Sequence, residues 1–509
     1  MVCQSNVSEP MEVVPRSAVR APFHLVIASV MVATATVALP AASAPGEQPG
    51  YRRLVELESA RTFSDDLTAA LASPDANLAG RAALALGRTE DARAAGPLRN
   101  ATAAREVSVR ALALYGYGLL AAKTPISSEV IRHGLEDKAA AVRVAAADAA
   151  WRAEAAKTPG AAELAEPLLA AVAGDRDPIV RSRAATALSG WRDADDAASV
   201  GARLVRAFMS EHDRTVRWHD AWALRRAFPT SPSDAVLRAG LSDREELVRI
   251  QFADTAARRK DPHAVALLEP LLADPSWRVR EQAHESIAVL GGGQRTAHLT
   301  AIPTGIVTPS PEPPNLEPAL PRPAGLGSAR KPTPAEARLD RPLRAATSAL
   351  MDGPMPGPHP RVRIGTTRGA IVVRLYPEWA PLTVANFLNL VDRGYYDGLR
   401  WFRVVPDFVA QTGDPHDNGE GDAGYTIPAE ESPLEQRSGI ISMGLNYTEG
   451  ANPGPIRDSA GTQFYLTISP QLHLDRDFTV FGEIESGFSV LGRLIESDRM
   501  TRVERLADS

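Results

Sequence analysis

The side chains that most often carry out catalysis are sparse in this 509-residue sequence. Its one cysteine, Cys3, cannot form an internal disulfide and leaves thiol catalysis and cysteine-ligated zinc without residues. Asp414 and His416 are close in the chain but lack further partners at metal-ligand spacing, so no metal site is predicted. The glycine-rich run NGEGDAG at 418–424 has no P-loop lysine and is predicted to form a turn.

A more distinctive pattern surrounds Arg403. An arginine that follows an aromatic residue is usually a plain surface charge, but this one lies in the block WFRVVPDFVAQTGDP. Three further blocks accompany it in a fixed order: GAIVVRLYPEWAPLTVANFLNLVDRGYYDG before it, then SAGTQFYLTIS and LHLDRDFTVFGEIESG. Together they resemble the signature of the cyclophilins, the cyclosporin-sensitive class of peptidyl-prolyl cis-trans isomerases, across residues 361–509.

This resemblance implies a fold and a set of site residues. The fold is an eight-stranded antiparallel β-barrel with two capping helices, and because small barrels are filled by their own side chains, substrate would bind outside. Arg403 matches the catalytic arginine, while Gln411 and Gln463 match groups that hold the substrate backbone and orient that arginine. His473 matches a position, often tryptophan, that contacts substrate or cyclosporin. The positions lining the proline pocket are matched by Phe408, Val409, Tyr465, Leu474 and Phe478.

The implied reaction suits these residue types. Rotation about an X–Pro bond has a barrier near ~20 kcal/mol and takes roughly tens to hundreds of seconds. Lowering the barrier means weakening amide resonance. A fixed guanidinium can do so by hydrogen bonding the proline nitrogen as it pyramidalises, or by holding the neighbouring carbonyl, and a dry apolar pocket supports the twisted state. The reaction needs no nucleophile, metal or cofactor.

Several positions depart from the usual family pattern. Trp401-Phe402 stands where Phe-His is usual, and Thr412 replaces the first glycine of the Gln-Gly-Gly-Asp run. Val409 replaces a methionine and Phe478 replaces a histidine, changes that are expected to keep the pocket apolar. His473 in place of tryptophan predicts weak cyclosporin binding.

The segment at residues 444–461, GLNYTEGANPGPIRDSAG, is longer than is usual in the family. An alanine-asparagine pair binds the substrate backbone there in other members. The corresponding residues here are Gly444 and Leu445, so that role does not transfer to them. The longer loop is expected to reshape the site for the residue before proline.

The elements that must position this site can be read from the pattern around it. VRIGTTRGAIVVRLY predicts two strands joined at Thr367-Arg368-Gly369. A helix is predicted to begin near Pro381, where proline is tolerated in the first turn, and to end at Gly394. A final helix is predicted through FSVLGRLIES.

Residues 52–292 have a different texture, rich in alanine and repetitive. An arginine recurs at intervals of roughly 30 residues, and in five of the seven cases an aspartate six residues before it fits a helix N-cap. Each unit is predicted to be a helix pair that buries its apolar face only by stacking into a solenoid, and the segment resembles the short form of HEAT repeats. The arginines are Arg81, Arg110, Arg143, Arg181, Arg217, Arg249 and Arg280, and the aspartates are Asp75, Asp137, Asp175, Asp243 and Asp274.

The repeated arginines have two interpretations. They either pair with the aspartates of neighbouring repeats, which is the favoured reading, or form a stripe that binds anions or peptides. Trp218, Trp222 and Trp277 are likewise expected to fill the core, with a ligand platform as the alternative. Since solenoids usually bind partners along one face, the resemblance implies a scaffold for protein partners.

The remaining segments are a leader and a linker. Residues 1–45 hold a basic part, an apolar part and the cleavage-like Ala42-Ser43-Ala44, which predicts a secretory signal that is either removed or kept as a membrane anchor. A buried helix of a cytosolic protein is the alternative. Residues 293–360 are proline-rich and are predicted to be an extended spacer, with a ligand for aromatic grooves as the alternative.

The sequence thus predicts a multidomain, exported protein, periplasmic or otherwise extracytoplasmic, in which a HEAT-like solenoid precedes a cyclophilin-like barrel. The net charge of −6 gives no electrostatic case for a nucleic-acid partner. Two functions remain open. One is an isomerase of proline-containing polypeptides whose solenoid recruits partners or clients, and the other is a scaffold whose barrel binds proline peptides without useful turnover.

Overall fold

The computed structural model describes residues 50–291, 357–419, 421–448 and 454–507. The expected signal or anchor at 1–45 and nearly all of the expected linker at 293–360 lie outside these residues. In the first described range the regular structure is entirely helical. Its helices are α1 Tyr51–Ser59, α2 Asp65–Leu71, α3 Ala76–Arg88, α4 Ala95–Ala101, α5 Val107–Leu119, α6 Ser128–Leu135, α7 Ala140–Ala155, α8 Ala165–Gly174, α9 Pro178–Leu188, α10 Ala197–Ser210, α11 Arg214–Ala227, α12 Asp234–Leu241, α13 Glu246–Arg258, α14 Val265–Leu268 and α15 Trp277–Gly291.

The helices are arranged as a stack of pairs. Each odd-numbered helix from α3 to α15 packs against the helix before it, and each from α3 to α13 also packs against the next odd-numbered helix. Small residues permit this close approach: a side chain at Gly87 of α3 would collide with the backbone of Gly116 in α5. Alanine has the same function: Gly118 of α5 lies directly against Ala149 of α7, which is fully buried, so the abundant alanine serves helix-to-helix packing as expected.

The repeated arginines join successive pairs. Arg143 is typical: its Nε lies 2.6 Å from Asp175 Oδ2 in the next repeat, and its Nη1 donates to the carbonyl of Asp137 at 2.8 Å. This confirms the inter-repeat interpretation. The same pairing is made by Arg110 with Asp137, Arg181 with Glu211, Arg217 with Asp243 and Arg249 with Asp274.

The expected N-cap role of the aspartates is wrong for all but Asp75. Asp75 caps α3, whereas Asp137 accepts a hydrogen bond from the backbone N of Ala139, which is itself the N-cap of α7. The carboxylate thus closes a turn just before the helix, a common role for aspartate. Arg81 also departs from the pattern, because it lies two residues later in its helix than Arg110 does and pairs with Glu58 of α1.

The second part of the chain is an antiparallel eight-stranded sheet ordered β3-β4-β6-β5-β7-β2-β1-β8. An isolated bridge between Arg400 and Arg499, with Trp401 N donating to Asp498 O at 2.9 Å, joins the two edges and closes the barrel. The strands are β1 Arg361–Thr366, β2 Gly369–Leu375, β3 Arg403–Val404, β4 Val409–Thr412, β5 Ile440–Met443, β6 Phe464–Thr467, β7 Val480–Ser486 and β8 Met500–Arg505.

Two helices accompany the barrel: α16, Pro381–Asp392, and α17, Phe488–Leu491. The first matches the expectation. The second is a single turn and not the longer helix expected through residue 497, because Gly492 ends it and residues 495–498 form a turn in which Ile495 N donates to Asp498 Oδ2 at 2.9 Å. Phe387 of α16 packs among Tyr396, Phe464 and Phe481 inside the barrel, which fills its interior with side chains.

The barrel also packs against the helical stack through residues 429–437, which we call the docking loop. Arg88 of α3 donates from Nε to the carbonyl of Glu431 at 3.0 Å. Arg183 of α9 donates from Nη2 to the carbonyl of Pro433 at 3.1 Å. Buried arginines from the odd-numbered helices therefore satisfy backbone carbonyls that would otherwise lose their hydrogen bonds to water.

Ion pairs and apolar contacts extend this interface to the rim of the expected site. Arg476 Nε lies 2.6 Å from Asp148 Oδ1, and Arg278 Nε of α15 lies 2.5 Å from Asp407 Oδ1, directly before Phe408. Trp379 and Leu472 of the barrel pack into the hydrophobic core of the helical stack. In return, Tyr51 and Val55 of α1 pack into the hydrophobic core of the barrel. No sequence pattern had predicted this shared interface.

Candidate active site

A recess on the outside of the barrel gathers most of the predicted site residues. Strand pairing explains why: Arg403 on β3 lies opposite Gln411 on β4, which lies opposite Tyr465 on β6. Side chains at directly opposed positions point to the same face of a sheet. The recess is lined by Arg403, Phe408, Val409, Gln411, Gly419, Gly444, Leu445, Tyr447, Tyr465, Leu474 and Phe478.

A chain of side-chain hydrogen bonds orients the arginine. Arg403 Nη1 donates to Gln411 Oε1 at 3.3 Å, and Gln411 Nε2 donates to Gln463 Oε1 at 3.0 Å. Gln463 Nε2 in turn donates to the carbonyls of Gly419, at 2.9 Å, and Gly421, at 3.0 Å. Each amide is thereby fixed in one orientation, so the guanidinium has a defined direction.

Arg403 has no carboxylate partner among the residues that the structure describes. Its Cζ lies 5.2 Å from the centroid of the Phe408 ring, so one face of the guanidinium is covered by an aromatic side chain. Burial lowers the pKa of Arg403, but a guanidinium stays protonated in proteins. A positive charge with donors to spare therefore faces the recess.

Next to this charge is an apolar pocket. Val409, Leu474 and Phe478 are buried, and the Phe478 ring meets Tyr465 edge-on with centroids 5.7 Å apart. Burial raises the pKa of Tyr465 well above its usual value, so its phenol is neutral at physiological pH. The pocket therefore offers an uncharged surface to a ring such as that of proline.

His473 lies at the edge of the recess without lining it. Its ring stacks on Phe408, with centroids 5.6 Å apart and planes inclined by 15°. His473 keeps an exposed surface, and partial desolvation of its ring, together with the positive charges of Arg225 and Arg226 on α11, lowers its pKa to about 4. The imidazole is therefore neutral near pH 7, and the helical stack contributes charge to this side of the site.

Gly419 was not foreseen as part of the recess, and the long segment at 444–461 was expected to reshape the site without an assignment of the residues that line it. Gly419 comes from the glycine-rich run, and Gly444, Leu445 and Tyr447 come from the long segment at 444–461. Gly444 leaves room for the glutamine pair, because a Cβ there would lie 3.1 Å from Gln463 Cβ. The unusual length of the segment was the available signal, but length alone does not say which side chain it turns inward.

Asp414 has a structural role in holding the turn that follows it. Its Oδ1 accepts from His416 N at 2.7 Å, and its Oδ2 accepts from Asn418 N at 2.9 Å and from Gly419 N. Within the described ranges, no three His, Cys, Asp or Glu side chains are grouped so that they could hold a metal ion. The carboxylate thus fixes the backbone that receives Gln463.

Comparison with known proteins identifies the barrel. Residues 361–507 match the model for cyclophilin type peptidyl-prolyl cis-trans isomerases. Peptidyl-prolyl cis-trans isomerase B of Bacillus subtilis is 42% identical over 135 residues, which are 26% of this chain and 88% of that protein. A peptidyl-prolyl cis-trans isomerase of Schizosaccharomyces pombe is 41% identical over 143 residues, 28% of this chain and 90% of that one.

One solved structure is also similar to part of the chain. A Cryptosporidium parvum cyclophilin type isomerase, crystallised in the presence of the dipeptide Ala-Pro, is 25% identical, with a TM-score of 0.26 over 29% of this chain and 99% of that one. The sequence matches to the two curated relatives cover only about a quarter of this chain but most of each relative. The chain therefore belongs to the cyclophilin-type peptidyl-prolyl cis-trans isomerase family.

Proposed function

We propose that the barrel accelerates rotation about X–Pro bonds in exported polypeptides, with Arg403 as the catalytic residue. The observation that carries this assignment is a guanidinium that is oriented by Gln411, has no carboxylate partner among the described residues, and adjoins an apolar pocket. Phe408, Val409, Tyr465, Leu474 and Phe478 take the proline ring. These elements are what a rotation catalyst requires, because the reaction moves no atoms between molecules.

The step itself follows from amide electronics. When the proline ring sits in the pocket, rotation removes the nitrogen lone pair from the amide π-system and localises it on nitrogen. Arg403 then donates a hydrogen bond to that lone pair, an interaction absent in the planar ground state. Gln411 orients the arginine, and Gln463, whose amide bonds Gln411 and the carbonyls of Gly419 and Gly421, holds Gln411 in place. Stabilisation present only in the transition state raises kcat.

For the rest of the chain, we propose that the helical stack is a HEAT-like scaffold that binds protein partners or clients. The interface with the docking loop supports a fixed placement of this scaffold beside the barrel. The repeated arginines are used internally, so partners would bind on other surfaces. The composition of residues 1–45 supports export, with release or anchoring as outcomes to be measured; among the described residues, no helix is long and apolar enough to cross a membrane.

The catalytic proposal is tested by measuring cis-trans exchange of a proline peptide by NMR with the whole mature chain. Arg403→Ala is expected to lower the rate about 10²–10³-fold, the usual loss for one transition-state donor. Arg363→Ala, which removes an exposed arginine of β1 paired with Glu504, is the matched control and is expected to keep full activity. Peptide binding without acceleration by the unmutated chain would instead support a proline-binding scaffold.

Partners and location need separate measurements. Pull-down from the exported proteome with the full chain is expected to retain specific partners, and retention of none would count against the scaffold role. Cell fractionation combined with mass spectrometry of the mature amino terminus decides between a released and an anchored protein. Recovery in the cytosol with an intact amino terminus would contradict export.

A further inference from the structure

The long segment at 444–461 forms a two-armed strap, which we define by its described parts, residues 444–448 and 454–461. The arms are joined by hydrogen bonds: Ile456 N donates to Asn446 O at 2.7 Å, and Thr448 N donates to Gly454 O at 2.9 Å. Tyr447 and Pro455 form an antiparallel bridge between them. Backbone pairing of this kind makes the position of one arm depend on the other.

The second arm is attached to the helical stack. Arg61, just beyond α1, lies with Nη2 2.8 Å from Asp458 Oδ1 and donates from the same nitrogen to the carbonyl of Ala429 at 3.1 Å. Arg457 pairs with Glu90, which follows α3, and its Nη2 lies 3.1 Å from Glu431 Oε1. The strap is therefore held from outside the barrel by residues that have no counterpart in the matched cyclophilin region.

The first arm supplies the wall of the recess beside the arginine. Leu445 is 8% exposed and Tyr447 is half-buried, and both line the recess together with Arg403. Burial raises the pKa of Tyr447, so the phenol remains neutral at physiological pH. A leucine side chain and a neutral aromatic ring form a surface suited to an apolar ligand group, with the phenol hydroxyl as its one polar element.

The direction of a bound peptide decides which ligand group meets this surface. In the proposed mechanism the proline ring lies in the pocket of Val409, Leu474 and Phe478 and its nitrogen accepts a hydrogen bond from Arg403. That nitrogen is bonded to the carbonyl carbon of the preceding residue, so the chain before proline continues on the arginine side. Tyr447 lies there, close enough to Arg403 for the two groups to interact electrostatically, and Leu445 lines the same recess.

We propose that Tyr447, with Leu445, forms the subsite for the residue preceding proline and selects an apolar, best an aromatic, side chain there, and that Arg61 and Glu90 of the helical stack position this subsite through the strap. The inference rests on the proposed isomerase function and specifies its substrate class. Tyr447 acts on specificity and Arg61 and Glu90 are positioning residues. The helical stack thus shapes substrate choice without touching substrate.

The test uses the whole mature chain and peptides that differ only in the residue before proline, with phenylalanine, leucine, alanine or glutamate at that place. The quantity measured is the ratio of kcat/KM for the phenylalanine peptide to that for the alanine peptide, obtained by NMR exchange so that no protease preference enters. An aromatic contact is expected to make this ratio about threefold to tenfold in the unmutated chain. In Tyr447→Ala the ratio is expected to fall to about one.

The role of the helical stack in positioning the subsite is tested with substitutions of Arg61 and Glu90. Arg61→Ala and Glu90→Ala are expected to lower the same ratio part of the way, and Arg61→Lys, which keeps the charge facing Asp458, is expected to restore most of it. Arg93→Ala is the matched control, since it removes a stack arginine whose ion pair is with Asp91 alone among described residues. Thermal unfolding of each variant checks that the fold is kept.

The outcomes separate this inference from the function on which it rests. An unchanged ratio in Tyr447→Ala, with full activity toward the alanine peptide, would overturn the subsite while leaving the isomerase intact. A lowered ratio in Tyr447→Ala with unchanged ratios in Arg61→Ala and Glu90→Ala would overturn positioning by the stack. If the unmutated chain accelerated no peptide, the proposed function would fall, and the ratio of dissociation constants for the same peptides would still test the subsite.

Discussion

Arginines in the two parts of the molecule are placed in opposite ways. In the helical stack, Arg143 directs Nε and Nη2 to Asp175 and Nη1 to a carbonyl, so its donors are used within the protein. In the barrel, the side chain of Arg403 makes a single hydrogen bond, to a neutral amide, among the described residues. The difference teaches how to separate the two roles of one residue type: a paired guanidinium holds structure together, and an oriented but unpaired one beside an apolar pocket is available to a substrate.

The first prediction tests the structural side of that contrast. Arg143→Ala leaves Asp175 without its partner in an environment where both side chains are about one-tenth exposed or less. Loss of one member of a buried pair is expected to cost about 3–5 kcal/mol in the free energy of unfolding. Chemical denaturation measures this loss in the free energy of unfolding, and the isomerase rate of the folded protein should be unchanged. A loss below about 1 kcal/mol would show that the ladder behaves like an exposed surface pair.

Arg403 should give the reverse result. Arg403→Ala is expected to lose about 10²–10³ in kcat/KM with no loss of stability, because no carboxylate of the described residues depends on it. Arg403→Lys keeps the charge but not the planar fork of donors, so it should recover only a small part of the rate. If Arg403→Ala lost as much stability as Arg143→Ala and kept its isomerase rate, Arg403 would be a structural residue and not the catalytic one.

Gln411, which orients Arg403, should have a smaller effect on the isomerase rate than Arg403 itself. Gln411→Ala removes the acceptor that orients Arg403 and leaves the arginine and its charge in place. We expect roughly a tenfold fall in kcat, equivalent to about 1.4 kcal/mol, with little change in KM, because the loss is one of orientation in the transition state. Gln411→Asn should not restore the rate, since its shorter side chain cannot span the same distance. A change confined to KM would indicate a role in substrate binding alone.

The sequence predicted those features of the two regions that depend on short motifs or on a regular repeat. The family blocks around Arg403 led to the barrel and to most of the recess. The repeat spacing led to the arginine pairs. The contact of Arg88 with the docking loop spans 343 residues in the chain and has no periodic or local signal, because it depends on how two folded parts meet.

The same limit explains the errors near the ends of elements. Except for Asp75, the aspartates of the stack lie two residues before the helix caps that they were expected to form, a difference that only the geometry of the turn reveals. Tyr447 could not be assigned because its direction depends on Arg61 and Glu90, which are hundreds of residues away along the chain. Long-range ion pairs therefore determine the part of the site that the family pattern leaves open.

The smallest expected effect concerns the boundary between the two regions, at His473. Its pKa in the folded chain, about 4, lies below the ordinary value of 6.5, so the folded state binds fewer protons than the unfolded state between these values. Stability is therefore expected to fall as the pH falls from 6.5 toward 4 and to be independent of this group at higher pH. NMR titration of the His473 ring measures the pKa directly.

The stack's share in this pKa can be isolated with one substitution. Arg226→Ala removes one of the two positive charges that lower the pKa of His473, so the midpoint should move upward, whereas Arg93→Ala should leave it unchanged. Because the imidazole is neutral at pH 7 in either case, the isomerase rate there should stay the same. Titration of His473 near 6.5 in the unmutated chain would mean that α11 does not act electrostatically on the barrel, and that the two regions are joined by packing and ion pairs alone.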